Sequence, residues 1–127
     1  MSNFEVIRGD NIPKSHLPFS PAIRAGDFVF VSGQASVDDA GNLVSDTFEN
    51  EFRRAIDNTR RILAAAGCTL KDVVQVKSYV KNPSDVPEYN KLYREVFSEP
   101  FPARTTIVNC LGKLLYEIDV MAYSPRK

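Results

Sequence analysis

Phe48-Glu49-Asn50-Glu51-Phe52-Arg53-Arg54-Ala55-Ile56-Asp57-Asn58-Thr59-Arg60-Arg61-Ile62-Leu63-Ala64-Ala65-Ala66-Gly67 carries the strongest periodic signal in the chain. Phe48, Phe52, Ala55, Ile56, Thr59, Ile62, Leu63 and Ala66 recur at intervals of three and four, and Glu49, Glu51, Arg53, Arg54, Asp57, Arg60 and Arg61 fill the remaining positions. This spacing predicts an amphipathic helix with one buried stripe and one solvated face. Asp46 with Glu49 reads as a capping pair, and Gly67 is placed to close the last turn. On the solvated face the Arg53-Arg54 and Arg60-Arg61 pairs are neutralised locally by Glu49, Glu51 and Asp57.

Strand signals flank this helix. On its N-terminal side, Phe4-Glu5-Val6-Ile7 reads as a short strand, Pro13 to Pro21 as a loop, and Ala22-Ile23-Arg24 with Asp27-Phe28-Val29-Phe30-Val31-Ser32 as a hairpin turning at Gly26. The loop Asp38-Asp39-Ala40-Gly41-Asn42 ends that region. On the other side, Asp72 to Lys81 is rich in Val and Tyr and reads as a strand. A second helix begins near Ser84 or Asp85, with Pro87 in its first turn and Val86, Tyr89, Leu92, Val96 and Phe97 as its buried stripe, and it stops before Pro100. Strands over roughly 104–109 and 114–123, separated by a turn at Gly112, complete the order β, β, β, α, β, α, β, β. That order predicts an α+β fold with both helices on one face of one sheet. Phe28/Phe30 alternate with Val29/Val31, and Val74/Val76 with Val73/Tyr79, so both sheet faces are apolar and two helices cover only one. The uncovered face predicts a homo-oligomer.

The chain has 127 residues, 43% of them apolar, which suits one domain over residues 1–127 with a core that needs no disulfide staples. Cys68 and Cys110 fit neither a CxxC pair nor a zinc knuckle and read as reduced, buried thiols. Sixteen basic and sixteen acidic residues balance to zero net charge, which argues against non-specific nucleic-acid binding. No apolar run is long enough for a membrane span, and Met1-Ser2-Asn3-Phe4-Glu5 lacks a secretory pattern, so a cytoplasmic protein with no membrane partner is expected.

The single histidine, His16, sits in the Pro-flanked loop and reads as a surface residue, which leaves few options for Ser-His or Cys-His nucleophiles and none for a two-histidine metal site within one chain. Walker, GxGxxG, GxSxG and HExxH motifs are missing. What remains lies at the C-terminus. Strand alternation puts Arg104, Thr106 and Val108 on one face and Thr105 and Ile107 on the other; Tyr116, Ile118 and Val120 share a face, opposite Glu117 and Asp119. If these two strands are neighbours, one face can bring Arg104 close to Glu117, either as a surface cross-strand ion pair or as a site.

These same residues carry a resemblance. Pro102-Ala103-Arg104 and Tyr116-Glu117-Ile118-Asp119-Val120 resemble the C-terminal signature of the RidA (YjgF) family of reactive-intermediate deaminases. Pro18-Phe19-Ser20, Val31-Ser32-Gly33-Gln34, Ala64-Ala65-Ala66-Gly67-Cys68, Asp72-Val73-Val74 and Asn90 with Tyr93 agree with it in order and spacing. The resemblance implies a chorismate-mutase-like subunit, one mixed sheet with two helices on one face, assembled as a homotrimer with clefts between subunits. It implies hydrolysis of small enamino and imino acids, such as 2-aminoacrylate and 2-iminopropanoate, to 2-oxo acids and ammonia, without a metal or organic cofactor.

By the same resemblance Arg104 is the substrate-binding arginine, whose planar fork suits a carboxylate, and Glu117 is the carboxylate that positions and activates water. For that role Glu117 should exchange a proton near neutrality, which burial favours and a nearby Arg104 opposes. Ser32 and Asn90 match polar contacts around the cleft, and Gly33 lets backbone approach a ligand. Phe19 stands where many members have tyrosine, either as a packed loop anchor or as part of the cleft, and Thr106 stands where many have cysteine. Phe19 leaves open a pathway-specific deaminase of 3-aminoacrylate or 2-aminomuconate. A ribonuclease or translation inhibitor is disfavoured by the even charge, and a non-catalytic ligand-binding trimer by the presence of Arg104.

Overall fold

The long amphipathic segment forms helix α1, Phe48–Ala65, in the computed structural model, which describes residues 3–125. Its cap differs from the Asp46–Glu49 expectation. The Thr47 hydroxyl accepts from the Asn50 amide at 3.2 Å, while Asp46 Oδ1 accepts from the Thr47 amide at 2.7 Å. Gly67, at φ +78°, reverses the chain at the other end, where its N–H donates to the Ala64 carbonyl at 3.0 Å. Phe52, Ala55, Ile56, Thr59, Ile62 and Leu63 are all buried, as the period requires.

Glu51 departs from the solvated face. It is 1% exposed, and its two carboxylate oxygens accept from the backbone N–H groups of Asp46 at 3.0 Å and Leu115 at 2.8 Å. One buried carboxylate thus ties the N-terminus of α1 to the loop that enters the last strand. Helical period could not distinguish this glutamate from Glu49, whose partner is the surface Arg53.

The sheet runs β1 (Phe4–Val6), β2 (Ala22–Ala25), β3 (Phe28–Ala35), β6 (Tyr116–Tyr123), β4 (Val73–Val80), β5 (Ala103–Val108), and only the β4–β5 pair is parallel. That pair is joined by helix α2, Val86–Val96, since parallel neighbours need a long crossover. Within α2, Tyr89, Leu92 and Tyr93 are buried and Val86 and Val96 only partly, so Tyr93 replaces them at the centre of the stripe. Both helices cover one face. Under them Phe48, Phe52, Tyr89 and Tyr116 form an aromatic cluster, and Ser78 Oγ and Tyr116 Oη share a hydrogen bond of 2.8 Å inside it.

Two expectations fail at the sheet. Val74 does not share the face of Val76: an irregularity between Val73 and Gln75 turns Val74 outward, 43% exposed, and keeps Val73 and Val76 inside. More important for function, the strands carrying Arg104 and Glu117 are not neighbours, because β4 lies between β5 and β6. Among the described residues nothing packs over the other face, which presents Phe28, Phe30, Ile107 and Tyr123, each about two-fifths to one-half exposed. Among the described residues no helix is long and apolar enough to cross a membrane.

Removing the Glu51 carboxylate leaves two part-buried N–H donors without their acceptors. Glu51→Ala is therefore expected to lose about 2 kcal/mol, roughly 6–12 °C in Tm. Thermal unfolding followed by circular dichroism checks it; a shift under 2 °C would mean that water replaces the carboxylate.

Candidate functional site

Strand β5 is an edge strand, and its register sets the direction of Arg104. Arg104 pairs with Val76, which pairs with Val120, so all three side chains point to the helix-covered face. There the guanidinium carbon lies 4.9 Å from the Tyr89 ring centroid and 4.8 Å from that of Tyr93. Nη1 donates to Asn90 Oδ1 at 2.9 Å. Tyr89, Asn90 and Tyr93 occupy one turn of α2, so a single helix supplies two π faces and one acceptor that hold the fork in place. None of the described carboxylates pairs with it. Phe101 and Pro102 complete a cavity of about 250 Å³ around it.

Thr106 follows on the same face, and its hydroxyl is engaged with Tyr89 Oη at 2.9 Å. Its role here is to brace the tyrosine against which Arg104 stacks. Tyr93 Oη is buried without a partner, and burial first, then Tyr89, hold the phenol far above its ordinary range while Arg104 opposes them.

Glu117 belongs to the opposite face, with its register partner Tyr79 and with Ile107 next across the sheet. By strand spacing, its Cα is roughly 14 Å from that of Arg104. The two therefore form neither an ion pair nor a common pocket within one chain, contrary to the expectation of a shared face. Burial, followed by the charge of Asp119, raises the Glu117 carboxyl above the ordinary glutamate value. The question left open by sequence is thus answered within the chain: burial acts on Glu117 and Arg104 does not.

The surroundings of Glu117 come from β3. The register between β3 and β6 slips between Val31 and Gln34, which places Gly33 against the carboxylate. A Cβ at Gly33 would sit 2.7 Å from Glu117 Oε2, so in this conformation the carboxylate lies directly against the glycine. Ser32 Oγ donates to the Ser20 carbonyl at 2.6 Å, and its amide donates to the Pro21 carbonyl at 3.0 Å. Ser32 therefore fastens the loop that carries Phe19. Phe19, 47% exposed, lines a cavity with Gly33 and Glu117 and also a more open one with Ser32, Gly33, Glu117 and Asp119. Asp119 accepts from Tyr79 Oη at 2.8 Å, and that bond, with burial, pushes the Tyr79 phenol up to about 12.

The candidate residues thus divide into two groups: Arg104 and Thr106 under α2 with Asn90 on that helix, and Phe19, Ser32, Gly33 and Glu117 on the open face. The Tyr89–Tyr93 clamp and the Tyr79–Asp119 bond were not anticipated, although the four-residue spacing of the tyrosines is visible in the sequence. His16 is exposed, in keeping with a surface residue.

Because the folded chain favours the protonated Glu117, the stability it contributes is complete below the unfolded glutamate pKa and is lost as pH rises through the raised folded value. Glu117→Gln cannot ionise. Its Tm advantage over the parent is expected to grow as pH rises above the ordinary glutamate range, from about pH 4 upward. A difference that stays flat across that range would remove the case for a proton held by burial.

The Endoribonuclease L-PSP family profile matches residues 9–124. A RutC family protein of Pyrococcus horikoshii is 40% identical over 122 residues, covering 94% of this chain and 97% of the relative. A 2-iminobutanoate/2-iminopropanoate deaminase of Dermatophagoides farinae is 32% identical over 108 residues, 84% of each chain. The solved structure of a Rid-family protein from Yersinia pestis superposes with a TM-score of 0.87 at 30% identity, covering 94% of this chain and 98% of that one. With the family profile, the sequence relatives and the fold in agreement, the chain belongs to the RidA (YjgF) family.

Proposed function

We propose that this chain is an enamine/imine deaminase that hydrolyses small 2-imino acids, with 2-iminopropanoate and its tautomer 2-aminoacrylate as the reference substrates, in the cytoplasm. The observation that carries this reading is the pair of half-sites: an arginine with which none of the described carboxylates pairs, clamped by two tyrosines, and a part-buried glutamate, its proton affinity raised by burial, that lies against Gly33 and lines an open cavity. An imino acid needs both, one group for its carboxylate and one for its C=N carbon.

The two halves lie on opposite faces, so the complete site needs two copies. The uncovered apolar face supports self-association, and in a homotrimer the edge strand β5 of one subunit lies against the open face of the next, giving three clefts. In each cleft Arg104 of one subunit, braced by Asn90 and Thr106, binds the carboxylate through parallel hydrogen bonds. Glu117 of the other directs water onto the iminium carbon. Starting ionised, the glutamate takes a proton from water as the C–O bond forms and passes it to nitrogen; as the C–N bond breaks it takes the hydroxyl proton and hands it to the departing ammonia. An iminium ion and water become a 2-oxo acid and ammonium, with atoms and charge balanced. Phe19 and Ser32 shape the wall together with the backbone of Gly33, against which the Glu117 carboxylate lies. No step requires a metal or a cofactor.

Arg104→Ala is expected to reduce kcat/KM for 2-iminopropanoate about 100-fold or more, and Arg104→Lys to recover only part of it. The sharper test mixes Arg104→Ala and Glu117→Gln subunits, each nearly inactive alone, by unfolding and refolding them together. Random assembly pairs an intact Arg104 with an intact Glu117 in about a quarter of clefts. Pyruvate release near that fraction of the wild-type rate is expected; no recovery in a mixture that has reassembled would falsify the shared site.

A further inference from the structure

Beside Glu117 lies a cavity of about 250 Å³ that the proposed reaction on 2-iminopropanoate does not use. Leu17 and Leu43 stand at its rim, 68% and 56% exposed, with Phe19 next to them. Ile62 and Leu114, 1% and 8% exposed, form its floor. Large hydrocarbon side chains exposed around a recess with an apolar floor mark a place where apolar matter binds.

The polar groups of the lining are mostly engaged elsewhere. Gln34 Nε2 donates to the Ser32 carbonyl at 3.0 Å, and Ser15 Oγ accepts from the Leu17 amide at 3.1 Å. Lys14 is an exposed rim residue whose amide donates to the Asp39 carbonyl at 3.1 Å. Gly41, at φ +89°, lets the chain pass directly against the Lys14 carbonyl. Two loops are locked together in this way, so the rim is already in place before a ligand arrives.

We propose that this recess receives the side chain of the substrate, and that the chain prefers 2-imino acids with a branched or aromatic hydrocarbon side chain over 2-iminopropanoate. The inference rests on the deaminase reading above and names the substrate class of that same site. Glu117 lines both the recess and the open cavity shared with Phe19, Ser32 and Asp119, so it sits where the two meet. With C2 at Glu117 and the carboxylate directed to Arg104 of the neighbouring copy, the third substituent of C2 has the recess to enter. At about 30 Å³ per water, the volume matches roughly eight waters, enough for a hydrocarbon group of four to seven carbons. A methyl group would leave most of it unfilled, against walls that offer water few partners.

The test generates imines in situ from L-alanine, L-leucine and L-phenylalanine with an amino-acid oxidase and measures oxo-acid formation above the spontaneous rate. The wild-type protein is expected to show kcat/KM at least about tenfold higher for the leucine- or phenylalanine-derived imine than for the alanine-derived one. Leu43→Trp, which narrows an exposed rim without touching the core, is expected to lower that ratio by about tenfold. Equal turnover of all three imines, or equal loss on all three in Leu43→Trp, overturns the inference and leaves the deaminase reading intact. No turnover of any imine above the Arg104→Ala background overturns both. A change in the assembly size of Leu43→Trp on sedimentation would assign the rim to contacts between copies and overturn the inference.

Discussion

The placement of β4 between β5 and β6 is the constraint on which the proposed chemistry depends. In a sheet, residues paired across strands share a face, and successive residues alternate. Arg104 is in register with Val76 and Val120, and Glu117 with Tyr79, so the sheet itself holds the guanidinium and the carboxylate on opposite sides. No rotamer change can bring them together. The proposed site uses both and so needs two copies, which the apolar open face supports.

Each half is prepared separately. Under α2, two aromatic faces and one amide oxygen hold the guanidinium at an edge strand, where its remaining donors stay available for an anion. On the other face, burial and the neighbouring Asp119 favour the protonated form of Glu117. In the proposed cleft the incoming guanidinium opposes both burial and Asp119, so assembly itself sets the proton affinity of the acid. The glycine in the β3 bulge accommodates the carboxylate of that acid, and the serine pins the Phe19 loop next to it. Substrate selection, as proposed, then lies with Leu17, Leu43 and the floor behind Phe19, outside the residues that perform the reaction.

Much of this was legible beforehand, for reasons that particular residues make plain. The α1 stripe, the hairpin at Gly26 and the closure at Gly67 follow from backbone geometry acting over a few residues. The division of Arg104 from Thr105, and of Glu117 from Ile118, follows from the two-residue period of a strand. Glu51 was misassigned to solvent because its partners, the amides of Asp46 and Leu115, come from the helix approach and from a loop far along the chain. Val74 was misassigned because one irregular residue in β4 shifts everything before it by one step.

By itself, then, the sequence determined which segments are helix and strand, which residues alternate together, that both sheet faces are apolar, and which motifs mark the family. Those are local properties, written in periods of two and three to four residues. Only the tertiary structure decided which strands lie side by side, and with that, that Arg104 and Glu117 face away from each other. Strand order is set by burying the helix stripes and by the crossover through α2, a balance over the whole core that no local period records.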